Sequence, residues 1–143
     1  MNQVEGSKRA NSSFSGLRKP KISITSRDHA RLRTLAEAAA TRMPDVADWL
    51  ADELDRAHIV RDDRPPSGVV GMGDGVTFRD NATGQVQTVS LVYPDEADIS
   101  LKKISVLTPI GVALIGMSAG ESISWQTRTG EMRDLTVNGV HPT

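Results

Sequence analysis

The stretch from residue 91 to residue 116 constrains the fold of this chain more than any other part of the sequence. It contains an acidic loop that begins at Pro94, then a short apolar strand over residues 104–107 and nearly all of an apolar helix predicted over residues 109–117. Pro109 begins that helix, a position that suits proline because the first helical N–H has no partner within the helix. A strand and a helix joined within so short a segment indicate a domain that mixes α and β structure.

Residues 20–63 carry two helical patterns. A first helix is predicted to start at Ser26 or Arg27, behind a hydroxyl cap, and to run to about Thr41. Pro44 fits the first turn of a second helix. The side chains that recur every four residues along this second helix are Val46, Leu50, Leu54 and His58, with Trp49 on the flank.

The two helices differ in charge, and this difference predicts how they pair. The first is mainly basic and the second mainly acidic. An antiparallel arrangement therefore brings unlike charges together, at about 0.2–1 kcal/mol per exposed pair. We predict an antiparallel helical hairpin, a short coiled coil whose arms reach about 20 Å.

The sequence from residue 64 onward indicates short strands separated by turns, after a linker stiffened by Pro65 and Pro66. In addition to residues 104–107, the predicted strands lie around Val76 and Phe78, over residues 86–92, at Ile123 and Trp125, and at Leu135 and Val137. Four to five antiparallel strands with one short helix make residues 64–143 a small α+β domain.

Composition excludes several classes of protein. Cysteine is absent, which rules out disulfides, thiolate metal sites and a cysteine nucleophile. The longest nearly apolar run, residues 110–117, is too short to cross a membrane, and no apolar signal core follows Met1. We expect a soluble, cytoplasmic protein without membrane contact.

Charge is unevenly distributed along the chain, although its net value is only −1. Residues 1–21 carry five basic side chains and one acidic one, and residues 1–19 show no periodicity. We predict a disordered basic tail over residues 1–19. It serves either as a solubilising leader or as an arm that makes weak contact with nucleic acid or an acidic protein surface.

Two glycine-containing motifs resemble catalytic or phosphate-binding sequences. Residues 116–120 match the G-x-S-x-G nucleophile elbow, but an elbow joins a strand to a following helix, whereas this segment leaves a helix and enters a strand. Gly71, Gly73 and Gly75 resemble a phosphate-binding loop, but a strand rather than a helix follows them. We interpret the first, around Ser118, as a helix-ending turn and the second as a turn that opens a strand.

Two groups of polar residues resemble metal or proton-transfer sites. Asp55 and His58 are spaced one helical turn apart, but no third ligand is close in sequence, so a surface or seam histidine is the preferred interpretation. Asp95, Glu96 and Asp98 form an acidic cluster, but nothing in the sequence fixes the octahedral geometry that magnesium needs. We predict a solvated or protein-contact loop there, and no metal or cofactor.

The motifs of the C-terminal half occur in an order that resembles one bacterial family. They are LVYPDEAD at residues 91–98, ISVLTPIGVALIG at residues 104–116 and GESISW at residues 120–125. Together they resemble the C-terminal domain of the Gre-type (GreA/GreB) transcription elongation factors.

The helical region narrows this resemblance. Its motifs are DHARL at residues 28–32 and ELDRA at residues 53–57, followed by VVGM at residues 69–72. These are similar to the short Gre relatives named regulator of nucleoside diphosphate kinase, and the resemblance covers about residues 20–137.

The resemblance implies an FKBP-like C-terminal domain that docks on RNA polymerase at the rim of its secondary channel, with the helical hairpin pointing inward. In the long relatives, acidic residues at the hairpin tip help to hold a magnesium ion in the polymerase active centre and stimulate transcript cleavage. Here the tip comprises Arg42, Met43, Pro44 and Asp45, with one acid beside an arginine instead of an acidic pair. The expected function is therefore non-enzymatic regulation of elongation without cleavage stimulation.

The docking segment also departs from the family pattern. Many Gre factors carry an acidic or amide residue before Ser-Pro, whereas this chain has Leu107 before Thr108 and Pro109. Thr108 keeps the hydroxyl and Pro109 keeps the helix start, so the backbone geometry is expected to survive while one polar contact is lost. The predicted docking surface comprises Thr108, Pro109 and Ile110 with the acidic residues Asp95, Glu96 and Asp98.

Two other functions stay open. An FKBP-like fold suggests peptidyl-prolyl isomerase activity, but Phe78, Tyr93 and Trp125 are too few aromatic residues to line a proline pocket and also fill a core. The family name suggests control of nucleoside diphosphate kinase, by direct protein contact or through gene expression.

Overall fold

The computed structural model describes residues 19–127 and 129–142, so the basic tail predicted for residues 1–19 lies outside the described residues except at Lys19. A pair of helices is followed by a curled five-stranded sheet and one further short helix, which confirms the α+β class. Within this part of the chain, no helix is long and apolar enough to cross a membrane.

Both long helices start where the sequence predicts. Helix α1 (Ser26–Ala39) begins behind Thr25, whose Oγ1 accepts a hydrogen bond from the N–H of Asp28 at 3.3 Å. This bond satisfies one of the N–H groups that the first turn of a helix leaves without a partner. Helix α2 (Pro44–Arg56) begins at the predicted proline.

The two helices are antiparallel, as the charge pattern predicts. His29 Nε2 lies 2.9 Å from the carbonyl oxygen of Leu54, and the Arg33 guanidinium donates to the Asp55 carboxylate at 2.6 Å. The second of these contacts joins the basic helix to the acidic one, so the expected pairing of unlike charges is present at this position.

A small parallel strand pair closes the helical region. Strands β1 (Ser23–Thr25) and β2 (His58–Val60) lie before and after the helices and pair with each other. The prediction that His58 continues the second helix is therefore wrong. Helix α2 ends at Arg56, and the N–H of His58 donates to the carbonyl oxygen of Ile22 at 2.9 Å. A four-residue repeat could not reveal this pairing, because it joins residues far apart in sequence.

The main sheet has the spatial order β5-β4-β3-β7-β6. Its strands are β3 (Gly75–Asp80), β4 (Val86–Val92), β5 (Lys103–Ser105), β6 (Ser122–Gln126) and β7 (Met132–His141). Neighbouring strands are antiparallel except β4 and β5, so the prediction of a fully antiparallel sheet is wrong at this edge. A parallel neighbour requires a connection that returns the chain along the strand, and residues 93–102 provide it.

Helix α3 (Pro109–Leu114) begins at the predicted proline but ends before the predicted residue 117. Gly116 has a φ of +77°, in the left-handed region, and its carbonyl oxygen accepts a hydrogen bond from the N–H of Ser23 at 3.1 Å. A Cβ atom at Gly116 would lie 2.8 Å from that of Ile22, so a larger residue would not fit. The helix therefore ends early because the backbone is used to attach β1.

One hydrophobic core joins the helices to the sheet. Leu50 and Leu54 are buried, as predicted. Trp49, expected on the flank of α2, is instead buried against Trp125 of β6, with 5.6 Å between the ring centroids. Helix α2 thus buries two adjacent faces, one against α1 and one against the sheet. The division into a hairpin at residues 20–63 and a domain at residues 64–143 stays a prediction.

Candidate docking surface

The acidic loop between β4 and β5 is exposed and closed by hydrogen bonds. It contains two short 3-10 turns, Pro94–Glu96 and Ile99–Leu101. Asp98 and Lys103 exchange two backbone hydrogen bonds of 2.9 Å, which close the second half of the loop. The three predicted acidic contact residues are all exposed: Asp95, Glu96 and Asp98.

Asp98 has a structural role within this loop. Its Oδ1 accepts hydrogen bonds from the N–H of Ser100 at 3.0 Å and from the Ser100 hydroxyl at 2.6 Å. The hydroxyl hydrogen bond lowers the pKa of Asp98 below its usual range, because it stabilises the charged carboxylate. Asp95 and Glu96 are therefore better candidates than Asp98 for contact with a partner.

The segment Thr108 to Ile110 forms the start of α3. Thr108 Oγ1 accepts a hydrogen bond from the N–H of Gly111 at 3.0 Å and donates one to the carbonyl oxygen of Ser105 at 2.8 Å. The hydroxyl that the sequence assigned to docking thus caps the helix. Pro109 and Ile110 are half-buried, so both retain some surface for a partner.

The hairpin tip lies beside this segment. Met43 at the tip and Leu107, directly before Thr108, line one groove. An adjoining groove runs along α1 to Asp95, and the two share Leu35, Ala38 and Pro94. We call this continuous surface the α1 groove. It connects three pieces that the sequence places far apart: the tip, Leu107 directly before the docking segment, and the acidic loop at Pro94 and Asp95.

The tip itself carries little negative charge. Arg42, Met43 and Pro44 are exposed, whereas Asp45 is half-buried in the first turn of α2. The structure therefore presents an arginine and a methionine at the hairpin tip, with one half-buried carboxylate beside them.

Tyr93 lines the α1 groove and is held there by contacts with α1 that the sequence did not predict. The Arg31 guanidinium lies 3.8 Å from the centre of the Tyr93 ring, a cation–π arrangement. The Tyr93 hydroxyl donates to Asp28 at 3.4 Å, and this carboxylate also accepts from the N–H of Met72 at 3.4 Å. The sequence signal was weak, because Tyr93 and Asp28 are 65 residues apart.

The environment of Tyr93 makes its ionisation a reporter of the native contact between α1 and the acidic loop. Burial, together with the nearby Asp28 carboxylate, raises the pKa of Tyr93 above its usual value of about 10. A raised pKa in the folded state stabilises the fold at pH values below the unfolded pKa. That stability is lost as the pH rises above about 10 towards the folded pKa.

We expect the tyrosinate absorbance of the folded protein to appear only at a pH above the usual value for tyrosine. Tyr93 is the sole tyrosine in the chain, so the ultraviolet titration reports it directly. The variant Tyr93→Phe should show no such absorbance change and a weaker loss of stability at alkaline pH. Ionisation of native Tyr93 at its usual pH would contradict the described burial.

The other motifs are explained by the fold. Gly73 has a φ of +88° and lies in a turn that opens β3, as predicted. Ser118 pairs with Val69 in an isolated bridge within the turn that precedes β6, although α3 has already ended at this point. His58 is exposed in β2, and the described residues contain no group of three or more His, Asp or Glu side chains that could hold a metal ion.

Comparisons with known proteins agree with this architecture. Residues 65–142 match the family model described as transcription elongation factor, GreA/GreB, C-term, and residues 20–60 match the one described as Rnk N-terminus. The chain therefore belongs to the GreA/GreB family of transcription elongation factors, in the short group that carries an Rnk-type N-terminus. The resemblance drawn from the sequence motifs is confirmed.

Individual relatives support the same assignment. The regulator of nucleoside diphosphate kinase of Escherichia coli is 37% identical over 119 residues, which cover 83% of this chain and 88% of the relative. The transcription inhibitor protein Gfh1 of Thermus aquaticus is 34% identical over 108 residues, which cover 74% of this chain and 67% of the relative.

A solved structure of a GreA/GreB transcription elongation factor from Nitrosomonas europaea has a TM-score of 0.67 and 37% identity, covering 86% of this chain and 99% of that one. This homology supports a role like that of a transcription elongation factor. The named relatives are regulators or transcription factors.

Proposed function

We propose that this protein is a non-enzymatic regulator of transcription elongation, which binds RNA polymerase at the rim of the secondary channel through an FKBP-like C-terminal domain. The observation that carries the proposal is the α1 groove. It places the hairpin tip at Met43 beside Leu107, which directly precedes the docking segment, so one continuous surface is available to a partner.

The arrangement of the helices favours binding at the rim of the channel and disfavours deep entry of the hairpin into the channel. Helices of 14 and 13 residues are each only about 20 Å long. Their inner faces share the core of the sheet, and Trp49 packs on Trp125. A hairpin held against its own sheet extends only a short distance beyond the docking surface.

The chemistry of the tip favours regulation without stimulation of transcript cleavage. A divalent cation is held best by several oxygen ligands, usually with more than one carboxylate when the protein must help to fix its position. The tip offers the half-buried Asp45, next to exposed Met43 and Arg42. The name of the Thermus aquaticus relative, a transcription inhibitor protein, is consistent with a family member that restrains the polymerase.

Isomerase activity is the weaker alternative. An isomerase pocket of the FKBP kind needs aromatic walls that are open to a proline ring. Phe78 and Trp125 are buried in the core, and Tyr93 is covered by Arg31. The aromatic residues are therefore used to build the fold.

Control of nucleoside diphosphate kinase is a second candidate function, which rests on the printed name of the Escherichia coli relative. The proposed route is indirect, through transcription. If addition of the purified protein changed the rate of purified kinase, the route would instead be direct contact.

The primary test is binding to purified core RNA polymerase. We expect the protein to be retained on immobilised core enzyme and to be displaced by a cleavage-competent Gre factor. In stalled, backtracked elongation complexes it should not accelerate transcript cleavage. Absence of binding at micromolar protein would refute the proposed function, and acceleration of cleavage would refute its non-catalytic part.

The docking segment is tested with Pro109→Ala. Because Pro109 is half-buried at the first position of α3, this variant should weaken polymerase binding by about tenfold while lowering stability by no more than about 1 kcal/mol. Thr25→Val, at a residue outside the predicted docking surface, is the control for a purely structural effect, since it removes the cap of α1 and should lower stability by about 1 kcal/mol. If both variants lost affinity only in proportion to stability, Pro109 would be structural.

A further inference from the structure

Two large apolar side chains project from the acidic loop into solvent. Ile99 is 89% exposed and Leu101 is 63% exposed, and both belong to the same 3-10 turn. Single exposed apolar residues are common on protein surfaces, but two of them within three residues of one turn are a larger apolar feature. Neither residue contributes to the core.

The backbone holds this pair in a defined shape. Asp98 caps the turn through Ser100, and the backbone of Asp98 pairs with that of Lys103 across its base. Lys102 has a φ of +58° and is the one non-glycine residue with positive φ among residues 19–127 and 129–142. Such a conformation is unfavourable for a side chain with a Cβ atom, so the surrounding contacts must impose it.

A loop shaped in this way loses little conformational freedom when it binds. An anchor that is already ordered avoids part of the entropy cost of association, which is why ordered apolar side chains contribute strongly to interfaces. The turn thus combines exposed apolar area with the order that an interface anchor requires.

Charge indicates the kind of surface that would receive the pair. The exposed carboxylates of Asp95 and Glu96 precede the turn, and the exposed Lys102 follows it. A complementary partner surface therefore has an apolar cleft with basic side chains at one edge and an acidic side chain at the other. This asymmetry would fix the orientation of the loop in the cleft.

We propose that Ile99 and Leu101 are the apolar anchors of this protein in its complex with RNA polymerase, inserted into a cleft of that description on the polymerase surface. The inference rests on the proposed function, and it adds two contact residues to the predicted docking surface, which comprises Thr108, Pro109, Ile110, Asp95, Glu96 and Asp98. Asp95 and Glu96 lie at the edge of the proposed interface and speed association, and the apolar pair slows dissociation.

The double variant Ile99→Ser with Leu101→Ser tests the anchors. We expect at least an approximately tenfold loss of affinity for core polymerase, mainly through faster dissociation, with an unchanged unfolding midpoint because both side chains are exposed. The matched control is Val86→Ser with Met132→Ser. It removes two other exposed apolar side chains, at 53% and 43% exposure, and should leave affinity unchanged.

The charges are tested separately with Asp95→Lys and Glu96→Lys. The double variant that carries both substitutions should associate with polymerase more slowly, and its association rate should depend less on salt concentration. Asp98 is left intact because it caps the turn.

The outcomes distinguish this inference from the proposed function. If the unaltered protein fails to bind polymerase, the proposed function fails and the inference with it. If the unaltered protein binds and the Ile99 and Leu101 double variant binds equally well, only the inference is overturned. A concentration-dependent dimer in sedimentation velocity that the double variant abolishes would identify a second copy as the partner and would also overturn it.

Discussion

Replacement of Trp49 with alanine is expected to destabilise the whole chain by about 3–5 kcal/mol. Trp49 is buried, and its ring packs 5.6 Å from that of Trp125, so its removal leaves a cavity between α2 and the sheet. Urea unfolding measures the loss. Because the chain has two tryptophans, the fluorescence of Trp49→Ala reports Trp125 in the sheet alone, while far-ultraviolet circular dichroism reports mainly the helices.

The coincidence of these two signals tests whether the helices and the sheet form one cooperative unit. We expect both transitions to occur at the same urea concentration, since one core joins both parts. Trp49→Phe keeps a ring against Trp125 and should lose less stability. Loss of the helical signal well before the Trp125 signal would instead show that residues 20–63 unfold as an independent domain.

Replacement of Arg56 with alanine is expected to have an effect of similar size, about 3–5 kcal/mol, for an electrostatic reason. Glu53 is only 1% exposed, and Arg56 donates to both of its carboxylate oxygens, at 2.7 and 3.1 Å. Arg56 also donates to the carbonyl oxygen of Pro20 at 2.7 Å, which holds the chain ahead of β1. Without Arg56, the Glu53 carboxylate is left buried without its bidentate partner.

Two variants provide the comparison for Arg56→Ala in chemical unfolding. Arg61→Ala removes an exposed pair with Asp63 and should cost about 0–1 kcal/mol. The double variant Glu53→Met with Arg56→Met replaces the buried pair with apolar side chains and should lose less stability than Arg56→Ala alone. If Arg56→Ala cost no more than Arg61→Ala, the burial of Glu53 would not be important for stability.

Neither of these residues lines the α1 groove. Trp49 and Arg56 variants should therefore reduce polymerase binding only by lowering the folded fraction, whereas the Pro109 variant and the acidic-loop variants should reduce it by more than any change in stability explains. This contrast separates the residues that build the proposed surface from those that contact the partner.

Local signals in the sequence were sufficient for several elements. The cap at Thr25 and the prolines at positions 44 and 109 fixed three helix starts, because each acts within one helical turn. Residues 86–92 were predicted as a strand with the bounds that β4 has in the structure. The family was also recognisable, since its motifs keep their order along the chain.

The errors concerned pairings between distant residues. His58 belongs to a strand because β1 lies beside it, and β5 is parallel to β4 because residues 93–102 return the chain along the sheet. Trp49 is buried because a sheet covers its face of α2. In each case the local sequence is compatible with both the predicted and the observed structure. Local sequence alone therefore could not distinguish the two.

The sequence by itself determined the helix starts, the α+β class, the family and the weakly acidic tip, because these depend on residue types and short spacings. Only the tertiary structure decided that the tip, Leu107 and the acidic loop share the α1 groove, and that Ile99 and Leu101 remain outside the core. Those properties depend on how distant segments pack, and packing is set by the whole chain and not by any local stretch of it.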